Sequence, residues 1–384
     1  MVSRADNSRL AEWWRTVDRL MLAAVLFLML CGVLLSFAAS PAVADRIGLE
    51  PFHFIKRHAA FLVPAIVLFL ATSTLSPRHV RRAAFFLFGI SIILMLATLF
   101  VGAEVKGSRR WIVIAGFSLQ PSEFMKPAFV VITAWLFAEN SRRPDIPGNL
   151  FAIILFAIVV ALLMAQPDFG QTMLIGIVWG ALFFLAGMPW IWIGGLAVMA
   201  VGGLTSAYML FPHVAGRIDR FVTGEGDNYQ VETGREAIIN GGWLGQGPGE
   251  GTVKTIIPDS HADFPFAVAA EEFGIIACIL LVSLFAFIVL RGLNHAMREK
   301  DAYVRLAVCG LVTLFAIQSM INMMVNLQLM PAKGMTLPFI SYGGSSLLSM
   351  ALAMGFTIAL TRTRPEKRGT MPQGFSVRAL SAAE

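Results

Sequence analysis

The sequence predicts an all-α polytopic membrane protein of about ten transmembrane helices, with both termini cytoplasmic and one large periplasmic loop between spans 7 and 8. Three observations predict it. Of 384 residues, 57% are hydrophobic and only 14% charged, against roughly 25% charged in a soluble domain. Apolar runs of about 20 residues, the length a helix needs to cross a bilayer, recur along the whole chain. Lys and Arg gather in alternate connections between those runs, as cytoplasmic loops require.

A cytoplasmic segment is expected at 1–17, carrying Arg4, Arg9 and Arg15, with Arg19 just beyond it. The membrane domain then occupies 18–362, with spans near 18–39, 57–75, 82–102, 121–139, 149–165, 169–187, 189–211, 264–290, 304–325 and 340–361. With the N-terminus inside, the inner connections are "SPRHVRR" (76–82), "SRRPD" (141–145), "RGLNHAMREKDAYVR" (291–305) and "TRTRPEKR" (361–368), all basic, while "AGMPW" (186–190) is merely short. Ala42-Val43-Ala44 imitates a signal-peptidase site. The apolar run before it exceeds the usual signal core of about 7–15 residues, so a retained anchor is expected. The tail at 363–384 is polar and expected to be disordered.

Most outer connections are short, but 212–263 is long and rich in charge and glycine. Long loops of this kind tend to carry function, and this one is expected to be the catalytic loop. Within it Val231, Ile238, Ile239 and Trp243 are expected to form the apolar face of a short interfacial helix. Cys31, Cys278 and Cys309 fall in separate apolar runs, with the spacing of neither a metal site nor a disulfide framework. The formal charge of +6 is explained by topology and does not call for nucleic acid.

Charges that are hard to explain as solvated surface mark candidate sites. Asp263 directly precedes "FPFAVAA", where Pro265 suits the first helical turn; its carboxylate should stand at the outer interface, as a cap or as a catalytic group. Asp259, His261 and Asp263 alternate, so an extended segment would present them together, which admits a metal site. Glu271 and Glu272 lie two turns into the eighth span, where an acid needs a partner. Glu123 and Lys126 are three apart and can meet on one helix face, and Asp168 in "QPDFGQT" has similar standing. An outward-facing set of cations runs against the positive-inside tendency: Lys106, Arg109, Arg110, Arg217, Arg220, Lys254 and Lys333. An anionic ligand or anionic headgroups would account for it. Finally, "NLQLMPAKGMTLPFISYGGSS" (326–346) reads as irregular backbone lining a cavity.

Six segments in order, "GSRRWI", "QPSEFMK", "QPDFGQT", "GWLGQGPGEG", "IPDSHADFPFAVAAEEFG" and "LMPAKGMTLPFISYGGSS", resemble the SEDS family of shape, elongation, division and sporulation proteins. The last resembles the division branch; elongation members usually carry Val-Gly or Ile-Gly where this chain has Lys333-Gly334. Two departures are local: Asp259, Ser260 and Ala262 around His261, and "FVTGEG" after the loop arginines. The resemblance implies a ten-helix fold in the bacterial cytoplasmic membrane, at the division septum. The activity it implies is polymerisation of lipid II, an undecaprenyl-pyrophosphate-linked disaccharide pentapeptide, onto a growing glycan strand. A class B penicillin-binding protein transpeptidase is the implied partner, with other divisome membrane proteins.

By the same resemblance Asp263 is the essential carboxylate. The expected mechanism has it take the proton of the acceptor sugar's 4-hydroxyl while undecaprenyl pyrophosphate leaves with inversion. The expected substrate-binding set is Arg109, Arg110, Trp111, Glu123, Lys126, Asp168, Arg217, Arg220, Lys254, His261, Lys333, Ser341 and Ser345. A divalent cation at the pyrophosphate is compatible with the sequence, which does not demand one. Two other classes stay open at this point: a lipid II flippase, with Glu271 and Glu272 among the groups lining a polar path, and a non-catalytic divisome scaffold.

Overall fold

A computed structural model of the chain describes residues 8–46, 48–105, 108–114, 116–143, 145–210, 212–223, 229–331 and 334–363. Lys106, Lys333 and nearly all of the expected tail lie outside them. A short helix, α1 (Arg9–Thr16), begins at Ser8, whose side chain accepts the Ala11 N–H at 3.2 Å. Seven long helices follow: α2 (Arg19–Arg46), α3 (His53–Ser73), α4 (Pro77–Val101), α5 (Pro121–Arg142), α6 (Gly148–Ala165), α7 (Phe169–Leu185) and α8 (Trp190–Leu210). The long loop supplies α9 (Pro212–Thr223) and α10 (Tyr229–Gly241), and the chain ends with α11 (Pro265–Arg298), α12 (Ala302–Asn326) and α13 (Gly344–Thr361). Proline opens α4, α5 and α11, where its missing N–H costs nothing.

The ten helices α2–α8 and α11–α13 coincide in order with the ten apolar runs. Among the described residues, eight helices are long and apolar enough to cross a membrane. The other two are α7, at 17 residues, and α5, which carries the buried Glu123 and Lys126. The centre of the bundle is α5, α12 and α13, buried along most of their length. Around them, α3, α4 and α8 turn Val63, Phe86, Ile93, Phe100, Trp190 and Ile191 outward, the surface that hydrocarbon covers.

Two parts of the outer end add detail to the sequence reading. The segment after α4 is an antiparallel sheet of β1 (Ala103–Val105), β2 (Ser108–Ile114) and β3 (Phe117–Leu119), in that spatial order. Its "WIVI" run is rich in the β-branched and aromatic residues that favour strands. The other is α10. Its buried face is Thr233, Gly234, Ala237 and Gly241; Val231 and Ile238 are half-buried, while Ile239 and, beyond the helix, Trp243 are 65% and 69% exposed. Small residues win that face because α10 packs backbone-close on α11: a Cβ at Gly241 would overlap the Ala270 carbonyl.

Candidate active site

Asp263 ends a turn at the mouth of α11. The backbone N–H groups of Ala262 and Asp263 both donate to the Asp259 carbonyl, at 2.9 and 3.0 Å. The segment therefore coils rather than extends, and the alternation of Asp259, His261 and Asp263 does not translate into one ligand face. Among the described residues no group of three His, Cys, Asp or Glu is placed to hold a metal.

The Asp263 carbonyl accepts from the amides of Asn322 and Asn326, at 3.1 Å each. Asn326 also accepts the Ala267 N–H at 3.0 Å, satisfying the first turn of α11. The Asn322 amide reaches the Met335 carbonyl at 2.6 Å as well, so one side chain joins the Asp263 turn to the loop before α13. That loop passes over the carboxyl: a Cβ at Gly334, whose φ is +59°, would stand 3.4 and 3.9 Å from the two Asp263 oxygens. Asp263 is half-buried there.

One stripe of α12 carries the polar contacts inward. Gln318, Asn322 and Asn326 are spaced by four and share a face. Gln318 donates to the Thr336 carbonyl at 3.3 Å and accepts from the Lys126 ammonium at 2.9 Å. Lys126 is fully buried and 2.9 Å from Glu123, which also accepts from the Gln171 amide at 2.7 Å. Glu123 and Lys126 are thus an ion pair inside the bundle, linked to the Asp263 turn through α12.

Glu271 and Glu272 have a different office. Buried Glu271 accepts the Val253 and Lys254 N–H groups at 2.8 and 2.7 Å and the Asn240 amide at 3.0 Å. Glu272 accepts the Gly249 N–H at 3.1 Å and pairs with the Lys254 ammonium. Two carboxylates therefore gather the glycine-rich strap 242–255 onto α11. The helix itself breaks beside them at Gly274, whose φ of 79° and ψ of 176° suit a residue without Cβ. Lys254 corrects the sequence expectation: it is buried in this pair and does not stand outward as a cation for ligand.

The remaining expected residues are placed as follows. Arg110, half-buried, donates to the Gln166 carbonyl at 2.9 Å and to that of Pro167, and lies 3.6 Å from Asp168. Burial pushes the Asp168 carboxyl up, against the pull of Arg110. Arg109 is exposed on β2, paired with Glu104 at 3.3 Å, and Trp111 lies on the same strand opposite Ala103. Ser345 accepts the Gln120 N–H at 3.0 Å, and Ser341 the Leu337 N–H at 2.7 Å, so both brace the ends of the α13 loop. His261 lies between the rings of Phe54 and Tyr342, tilted against both with centroids at 4.4 and 5.3 Å, and burial pushes its imidazole down to about 4. Arg217 and Arg220 fall on α9.

Sequence reasoning missed Asn322, Asn326 and Gln318, although amides repeated every four residues in an apolar run are a readable signal. It also passed over Arg57, which donates to the Gly116 carbonyl at 2.9 Å and reaches Tyr342 from α3. As a cation at the outer end of a span, it belongs with the set already singled out.

Comparisons with known proteins agree on one family. The profile of the FtsW/RodA/SpoVE family of cell cycle proteins matches residues 18–366. A probable peptidoglycan glycosyltransferase FtsW of Caulobacter vibrioides is 50% identical over 369 residues, 96% of this chain and 95% of that one. Another, of Trichlorobacter lovleyi, is 33% identical over 92% of this chain and 94% of that one. Among solved structures, a chain from a peptidoglycan synthase complex that coordinates polymerization and crosslinking aligns with a TM-score of 0.76 at 25% identity, over 90% and 97% of the two chains. The rod shape determining protein RodA of Thermus thermophilus shares the fold, with a TM-score of 0.66 at 24% identity over 91% and 97%.

Proposed function

The chain belongs to the FtsW/RodA/SpoVE family of cell cycle proteins, and on that premise we propose how its outer end performs glycosyl transfer. It is a multi-pass membrane protein and a peptidoglycan glycosyltransferase. The proposed substrate is lipid II, polymerised at the division septum beside a class B penicillin-binding protein that crosslinks the product. The name of the similar solved complex, which joins polymerization to crosslinking, supports that pairing.

Asp263 acts as general base. The acceptor's 4-oxygen attacks the donor's anomeric carbon, its proton passes to the Asp263 carboxylate, and the bond to undecaprenyl pyrophosphate breaks on the opposite face, inverting the configuration. Such a base supplies about 10²–10⁴-fold. Stabilising the departing pyrophosphate is the larger electrostatic contribution. Arg109, Arg110, Arg217, Arg220 and Lys333 are the proposed cations, while Lys126 and Lys254 serve the scaffold.

The observation that carries this reading is the mounting of Asp263: two buried asparagine amides hold its own carbonyl, so its carboxyl stays on the outer end beside Gly334. The test is full-length protein with its penicillin-binding partner and labelled lipid II. Asp263→Asn is expected to abolish glycan ladders with folding intact, and ladders that persist remove Asp263 from the mechanism. Translocation of lipid II in sealed vesicles without polymer would favour a flippase instead.

A further inference from the structure

At the end of the bundle opposite Asp263 lies a second cationic site that the glycosyl transfer does not use. A cavity of about 370 Å³ opens where the α1–α2 turn meets the C-terminal ends of α11 and α13. Arg15, Arg19, Arg291 and His295 line it, with Asp18 the one acid among the lining residues. Asp18 is already committed. It accepts the Leu20 and Met21 N–H groups at 3.1 Å each and faces Arg291 Nε and His295 Nε2 at 2.6 Å each. Three guanidinium groups and one carboxylate thus line the same cavity, with Arg15 Nε donating to the Ala11 carbonyl at 3.2 Å and Arg19 Nε to the Trp14 carbonyl at 3.3 Å.

The surroundings fix the depth of this cavity. On α1, Leu10 is 72% exposed and Trp14 39%, and on α2 Leu20 is 59% exposed, an apolar rim beside the basic walls. Arg19 lies over the Trp14 ring, 5.0 Å from its centroid. Tryptophan and arginine at the start of an apolar helix mark the level of lipid headgroups. The rim is anchored: Trp13 donates from its indole to Ser73 at 3.0 Å, and Arg362 donates to the Thr16 hydroxyl at 2.9 Å. Charge distribution along the chain assigns this end to the cytoplasm, the leaflet whose anionic lipids attract basic side chains.

We propose that this cavity binds the headgroup phosphate of an anionic phospholipid, whose acyl chains run along Leu20 and Trp14. Arginine forks match phosphate oxygens in pairs, which suits this lining to a headgroup phosphate. This assignment is independent of the role given to Asp263.

The test uses full-length protein in detergent, titrated with dihexanoyl phosphatidylglycerol, dihexanoyl phosphatidylcholine or inorganic phosphate while Tm is followed. Phosphatidylglycerol is expected to raise Tm saturably and the other two are not. Each basic side chain near an anionic headgroup contributes about fivefold in affinity, so Arg15→Gln/Arg19→Gln weakens binding about thirtyfold. A second variant, Leu20→Asn, leaves the charges alone and is expected to weaken the lipid only. Equal binding of phosphatidylcholine, or undiminished phosphatidylglycerol binding in either variant, overturns the proposal. Inorganic phosphate binding as tightly as the lipid overturns it in favour of a free-phosphate site.

Discussion

Asn322→Ala is expected to disable the enzyme without unfolding it. The native amide donates to the carbonyls of Asp263 and Met335, at 3.1 and 2.6 Å. Each bond contributes about 1 kcal/mol net, and a buried carbonyl left without a donor costs about 1–3 kcal/mol. Asp263 keeps its second donor, Asn326, so the stranded group is the Met335 carbonyl. The penalty, about 2–4 kcal/mol, therefore falls on the two loops that meet over the carboxyl and spares the helical core. A catalytic group displaced by about 1 Å loses about 100-fold in rate. Polymerisation of labelled lipid II should drop by about that factor, with membrane yield unchanged and faster hydrogen exchange at 259–264 and 334–341. Because Asn322 acts through Asp263, Asn322→Ala/Asp263→Asn should be no slower than Asp263→Asn alone. A folded Asn322→Ala protein within about twofold of the parent rate, or a double variant slower by both factors multiplied, would refute the positioning argument.

Lys254→Met leaves buried Glu272 without its ammonium and should cost about 3–5 kcal/mol, read as a fall in Tm. Adding Glu272→Leu should recover most of it, though not the bond from Gly249; no fall in the single variant would show the pair to be unimportant. Gly241→Ala drives a methyl into the Ala270 carbonyl and should cost about 1–3 kcal/mol, with faster proteolysis of 229–255 if α10 is pushed off α11. His261 titrates at about 4 in the fold, below its ordinary value of about 6.5. The unfolded chain then binds the extra proton first. Stability should decline as pH falls from about 6.5 to 4, by up to about 3 kcal/mol. His261→Gln should flatten that slope in melting curves, and an unchanged slope would place the acid sensitivity elsewhere.

Hydropathy and charge are properties of consecutive residues, so the sequence alone determined the helical membrane fold, the order of its long helices and the location of the long loop. It also determined that an acid stands at the mouth of α11, because Asp263, Pro265 and the apolar run behind them are contiguous. The partner of a charge is not a contiguous property. Gln318 lies 192 residues from Lys126, and Asn322 lies 59 from Asp263, so only the packing of α12 against α5 and α11 decided which polar groups meet. Lys254 read as an outward cation because its 18-residue separation from Glu272 closes only when the glycine-rich strap folds back on α11. The packed face of α10 is likewise a matter of distance: its close approach to α11 at Gly241 leaves Thr233, Gly234, Ala237 and Gly241 as the buried residues. Composition sorts residues between lipid and water, whereas distance between remote segments, which only the folded bundle sets, decides which of them work together.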